Sequence, residues 1–134
     1  AAAAAGIEPI YIAPAKASEA TLEAVAANSR GYIYAISRDG VTGADKEATV
    51  EGLREVVDNV RKFGGPPVLL GFGISTPEHV RDAIAAGAAG AITGSAITNI
   101  IAKHLDGNRV ADMGALKAEL TQYVAAMKGA TIAS

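Results

Sequence analysis

Apolar positions along the chain fall into two alternating patterns, short runs of strand length and longer stretches with helical spacing. Residues 8–13, EPIYIA, form the first short run, closed by Pro14, and suit a buried parallel strand. Ser18 then caps a predicted helix whose apolar stripe is Leu22, Val25 and Ala26, and Gly31 ends that unit. Residues 32–36, YIYAI, are rich in aromatic and β-branched residues and predict a second strand. A helical period returns over 49–63, with Val50, Leu53, Val56, Val57 and Val60 on one side, until Gly64, Gly65, Pro66 and Pro67 stop it. A third strand is predicted over 68–70. Ser75 and Glu78 then stand at capping-box spacing, with Pro77 in the first turn of a helix that turns Val80 and Ile84 inward and ends at Gly87. A fourth strand over 90–93, a short helix over 96–104 and a turn at 106–108 follow. The last helix, 112–128, carries Leu116, Leu120, Val124 and Met127 along one stripe.

Four strands alternating with helices predict an α/β fold of parallel βαβ units with right-handed crossovers. The chain has 134 residues, enough for one core but short of the ~250 of a complete (β/α)8 barrel. Composition is globular, 50% hydrophobic and 19% charged, and a net charge of −2 gives no electrostatic reason to expect nucleic acid or an anionic membrane as partner. No cysteine is present, so disulfides, thiolate chemistry and cysteine-based zinc sites are out, which is compatible with a cytoplasmic protein. No run approaches the ~18 apolar residues of a spanning helix. The opening alanines, 1–5, read either as the end of a helix capped by Gly6 or as residues foreign to the protein.

The candidate chemistry lies at strand ends. VLLGFGIS over 68–75 and AITGSA over 91–96 are each an apolar run that breaks into glycine and a small hydroxyl residue where a helix begins. This arrangement brings backbone N–H groups close to a phosphate. In (β/α)8 barrels a phosphate sits between the loops after the seventh and eighth strands and a short extra helix. Gly71, Gly73, Gly94 and Ser95 are accordingly the expected cradle. The polar loop SRDGVTGA, 37–44, follows a strand on the side where barrel enzymes place their sites, and Gly40 and Gly43 are candidate hinges of a lid. An ordinary connection fits the composition equally well. Arg38 and Asp39 read as lid charges rather than a catalytic pair. His79 and His104 read as solvated surface residues, with no metal-site motif around either. Glu8 falls on the side opposite the site. The pattern does not fix which face of the sheet Tyr34 presents.

RGYIYAISRDGVTGA, then PVLLGFGIST, AAGAAGAITGSAI and a closing YVAAMKGAT together resemble the C-terminal half of the tryptophan synthase alpha subunit, in the right order and across essentially the whole chain. The resemblance implies strand five to helix eight of a (β/α)8 TIM barrel, read as one partial domain over 1–134, with a short extra helix before the last. It implies retro-aldol cleavage of indole-3-glycerol phosphate to indole and glyceraldehyde 3-phosphate, without a cofactor in this chain. Pyridoxal phosphate belongs to the family's beta subunit, which receives the indole. By resemblance, Gly71, Phe72, Gly73, Gly94 and Ser95 bind the phosphate and Gly43 adds a backbone contact. Tyr34 lines the site, Ile12 walls the indole pocket, Thr42 meets the catalytic aspartate on lid closure, and Arg38 helps to order the lid. The family's acid glutamate and its partner aspartate come from early strands, before anything corresponding to residue 1, so no catalytic carboxylate is expected here.

An isolated half-barrel would leave residues 7–13 and 90–93 as apolar edges and uncover its concave face. The N-terminal half of the barrel or a second copy of the chain is expected to cover them. Two other readings stand beside the lyase: a catalytically silent half-barrel that self-associates and binds only anions, and another phosphate-binding barrel such as a sugar-phosphate isomerase or flavin enzyme.

Overall fold

The computed structural model describes residues 1–36 and 46–132. Four strands, β1 (Ile12–Pro14), β2 (Ile33–Ile36), β3 (Val68–Gly71) and β4 (Gly90–Ile92), form one parallel sheet in chain order. Helices α1 (Glu19–Asn28), α2 (Lys46–Lys62) and α3 (Pro77–Ala85) connect them, and α4 (Ser95–Lys103) and α5 (Met113–Gly129) follow. A two-stranded antiparallel hairpin, β5 (Leu105–Asp106) and β6 (Arg109–Val110), occupies the place of the expected turn, with Gly107 at its tip at φ +58°. The alanine tract ends in a single 3-10 turn, Ala3–Ala5, closed by the left-handed Gly6.

The core lies on one face of the sheet. Ala13, Ala35 and Leu70 are buried there, with Ala91 packed beside them, under Leu22 and Val25 of α1, Val56, Val57 and Val60 of α2, Val80 of α3 and Met127 of α5. Small alanines on the sheet let the helices approach closely, and the branched residues of α2 fill the space. Ser18 caps α1 by accepting from the Thr21 N–H at 3.2 Å, as its spacing predicts.

Several boundaries differ from expectation. The first strand begins at Ile12, not at residue 8, and includes Pro14 as its last ladder residue. A proline without an N–H is tolerated because β1 is an edge strand. The third helix is capped by Thr76, which accepts from the His79 N–H at 3.4 Å, rather than by Ser75. Pro77 occupies the first helical position, so the cap is the residue before it. On α5 the inward stripe runs through Leu116, Tyr123 and Met127. Val124 is 52% exposed and instead lines a cavity of about 570 Å³ along β4, the last strand of the sheet.

Candidate functional site

The second face of the sheet is built by register. Partners in a parallel ladder share a face, so Ile12, Tyr34, Leu69 and Gly90 form one row, and Pro14, Ile36, Gly71 and Ile92 the next. Tyr34 therefore presents its ring to this concave face, while Ile33 and Ala35 on either side of it are buried in the core. The ring lies directly over Gly71: a Cβ built there would stand 2.7 Å from Tyr34 Cε2 and nearer still to Cζ and the hydroxyl. Ile12, beside Tyr34 in the row, is 56% exposed.

Beyond Gly71 the backbone turns sharply. Phe72 has φ +87° and Gly73 φ +76°, two consecutive residues in the left-handed region. For phenylalanine this conformation costs on the order of 1–2 kcal/mol. Its ring is exposed. Ile74 then plugs into the core, anchoring the loop from beneath. The Ser75 N–H donates to His79 Nδ1 at 3.2 Å, and Ser75 Oγ lies 3.4 Å from the same nitrogen. His79 Nδ1 is thus the acceptor for the Ser75 backbone N–H. This corrects the reading of His79 as merely solvated: its side chain reaches back over the helix start and satisfies a loop donor.

On the neighbouring strand, β4 gives way to Thr93 and to Gly94, whose φ and ψ are −130° and −65°, and α4 begins at Ser95. Ser18, Thr76 and Asp112 cap α1, α3 and α5 with side-chain oxygens, whereas α4 has glycine at that position and no side-chain cap. Its first-turn N–H groups, with the positive end of the helix dipole, follow the carboxyl end of β4, as the Phe72–Gly73 turn follows that of the adjacent β3. A Cβ added at Gly73 or at Gly94 would meet no atom within 4 Å, so neither glycine is required by packing.

The two loops are joined by a side-chain bridge that sequence reasoning missed. Thr93 Oγ1 donates to the Ile74 carbonyl at 2.8 Å and lies 2.9 Å from the Tyr123 hydroxyl, which also approaches the Ser75 carbonyl at 3.2 Å. The available signal was spacing, since Tyr123 falls four residues before Met127 on the helix. His104 is likewise not a free surface group. Its Nε2 lies 2.7 Å from Glu119 Oε2, with Lys103 Nζ 3.2 Å from the other carboxylate oxygen. These partners, His104 first, hold the Glu119 carboxyl below the usual glutamate range. Arg38, Asp39, Gly40, Thr42 and Gly43 lie outside the described residues, so the lid readings rest on sequence. Among the described residues no group of three or more His, Asp or Glu side chains is placed to hold a metal ion.

The comparisons with known proteins bear on this arrangement. The sequence profile described as Tryptophan synthase alpha chain matches residues 1–129. The chain belongs to the tryptophan synthase alpha chain family. A Tryptophan synthase alpha chain from Corynebacterium glutamicum is 65% identical over 136 residues, covering 98% of this chain and 49% of that protein. One from Vibrio cholerae is 49% identical, covering 94% of this chain and 45% of its own length. The chain spans about half the length of the curated relatives it matches. Among solved structures, a mutant tryptophan synthase alpha-subunit from Pyrococcus furiosus superposes with a TM-score of 0.72 at 25% identity, over 92% of this chain and 46% of that one. A second Pyrococcus furiosus structure, described as the tryptophan synthase a2b2 complex, superposes at 0.67 with 22% identity, over 92% of this chain and 45% of that one. The four-stranded parallel sheet with its helices is thus the C-terminal half of a tryptophan synthase alpha barrel. Family membership sets aside the sugar-phosphate isomerase and flavin-enzyme readings. No helix among the described residues is long and apolar enough to cross a membrane.

Proposed function

We propose that this chain supplies the phosphate-binding loops and the lid of a tryptophan synthase alpha barrel, spanning strand five to helix eight. The complete barrel cleaves indole-3-glycerol phosphate to indole and glyceraldehyde 3-phosphate in tryptophan biosynthesis, in the cytoplasm. The observation that carries the reading is the meeting of the Phe72–Gly73 turn with the uncapped start of α4 at the ends of adjacent strands, in a member of this family. Gly71, Phe72, Gly73, Gly94 and Ser95 hold the phosphate, with Gly43 adding a backbone contact. Backbone N–H groups and a helix dipole meet a dianion without any lysine, each charge-assisted hydrogen bond contributing about 1.5–3 kcal/mol.

Tyr34 and Ile12, neighbours in one row of the concave face, wall the indole pocket, and Thr42 meets the catalytic aspartate when the lid closes. The acid glutamate and its aspartate partner come from the other half of the barrel. This chain alone therefore binds phosphate and does not turn over. In the whole assembly the partner is a beta subunit, which carries the pyridoxal phosphate and takes up the indole. The N-terminal half of the barrel covers the exposed Ile7, Ile10 and Ile12.

The test joins these 134 residues to the N-terminal half of the Corynebacterium glutamicum relative and assays indole release from indole-3-glycerol phosphate. Activity is expected in the fusion and not in the chain alone. Ser95→Ala in the fusion should raise KM about tenfold, the size of one charge-assisted bond, with little change in kcat. An unchanged KM would count against the cradle. A second reading, a silent half-barrel that pairs with its own copy, draws on the same exposed apolar residues; a dimeric mass in solution together with an inactive fusion would favour it.

A further inference from the structure

We propose that Tyr123, acting together with Thr93, is a positioning residue for the phosphate site, holding the two loops in a fixed relation from behind. The proposal rests on the phosphate reading above and adds to it a part played by the last helix. The ladder between β3 and β4 ends at Gly71 and Ile92. Past that point the two loops are tied through side chains: Thr93 Oγ1 to the Ile74 carbonyl at 2.8 Å, Thr93 Oγ1 to Tyr123 Oη at 2.9 Å, and Tyr123 Oη to the Ser75 carbonyl at 3.2 Å. Two hydroxyls have two protons for these three contacts. The Thr93 proton goes to Ile74, and the Tyr123 proton is shared between Thr93 and Ser75.

The bridge grips carbonyls, and so sets peptide planes. The Ile74 carbonyl is drawn to Thr93, and the N–H of the same planar unit, that of Ser75, is held on the opposite side by His79. The next plane is held at the Ser75 carbonyl by Tyr123. Phe72 and Gly73, in their left-handed conformation, are thereby confined between the end of β3 and a downstream anchor that does not rotate. Their N–H groups keep one direction relative to the start of α4, the requirement for a preorganised anion site. The Tyr123 ring packs against the core, so its hydroxyl is carried by a body with little freedom of its own.

The test titrates the 134-residue chain with inorganic phosphate, following the backbone amides of Gly73, Gly94 and Ser95 by NMR. The spectrum itself reports that each variant is folded. Tyr123→Phe removes the hydroxyl and keeps the ring, and should weaken phosphate binding about fivefold. Thr93→Val should do the same, the double variant should be no weaker than either single one, and Thr93→Ser should bind like the unaltered chain. A purely structural role would lower the unfolding temperature and leave the affinity unmoved. Unaltered phosphate affinity in both Tyr123→Phe and Thr93→Val overturns the proposal. Absence of phosphate binding in the unaltered chain overturns the phosphate reading and the positioning role with it, so the two failures are told apart.

Discussion

Gly71→Ala is the sharpest probe of the concave face, because the glycine lies under the Tyr34 ring. The new Cβ would stand 2.7 Å from Tyr34 Cε2, with Cζ and the hydroxyl nearer, against an optimum of about 3.5–4.0 Å between carbon atoms. The ring or the strand must therefore withdraw by on the order of 1 Å. Overfilling a packed site costs about 1–3 kcal/mol. Here the ring has room to yield, since Tyr34 is half-buried and its row neighbour Ile12 is exposed, which places the cost near the lower end, about 1 kcal/mol. In urea unfolding, with slopes of about 1–3 kcal/mol per molar, the midpoint should fall by roughly 0.5 M. In a Tyr34→Ala background the obstructing ring is gone and the same substitution should be neutral. Equal losses in both backgrounds would refute the contact, and so would no loss in the unaltered chain.

Two further outcomes follow from the geometry. Phe72→Gly should be more stable than Phe72→Ala by about 1 kcal/mol in the same unfolding assay, reversing the usual order of the two residues, because φ +87° strains alanine and not glycine; alanine equal to or better than glycine would contradict that strain. At Glu119 the folded carboxyl is held low by His104 and then Lys103, so its stabilisation is complete above the ordinary glutamate value of about 4.3 and is lost as the pH falls through the lowered folded value. The unfolding temperature of Glu119→Gln should lie below that of the unaltered chain near neutrality and converge with it in acid, and parallel curves would rule the linkage out.

The sheet was legible where local chemistry was sufficient. Residues 32–36, rich in aromatic and β-branched side chains after Gly31, and the apolar run 68–70 between Pro67 and Gly71 both fall on paired strands. The first strand was read too long because the apolar run PIYIA begins upstream of Ile12, while Pro9 and its neighbours lie outside the ladder and the Pro9 carbonyl serves Arg30 instead. The third cap was misplaced by one residue although Pro77 already marked the first helical position. What sequence could not supply were meetings across distance. Glu119 answers His104 from another helix, and Tyr123 replaces Val124 on the inward stripe because its hydroxyl finds partners 30 and 48 residues away. The glycines of GFG are also not what their order suggests. Gly71 belongs to a strand and is small because of Tyr34, and the left-handed turn falls partly on the phenylalanine.

The order of the sheet has a consequence for how the chain is made. Each strand pairs with the one synthesised before it, so a nascent chain can add one βα layer at a time, each parallel pairing waiting until the helix between the two strands has emerged. The last helix is the exception. Tyr123 reaches back 48 residues to Ser75, so the loops after β3 and β4 acquire their final alignment only when α5 has left the exit tunnel and docked. The relation between these two loops thus depends on a helix that follows both of them in the chain.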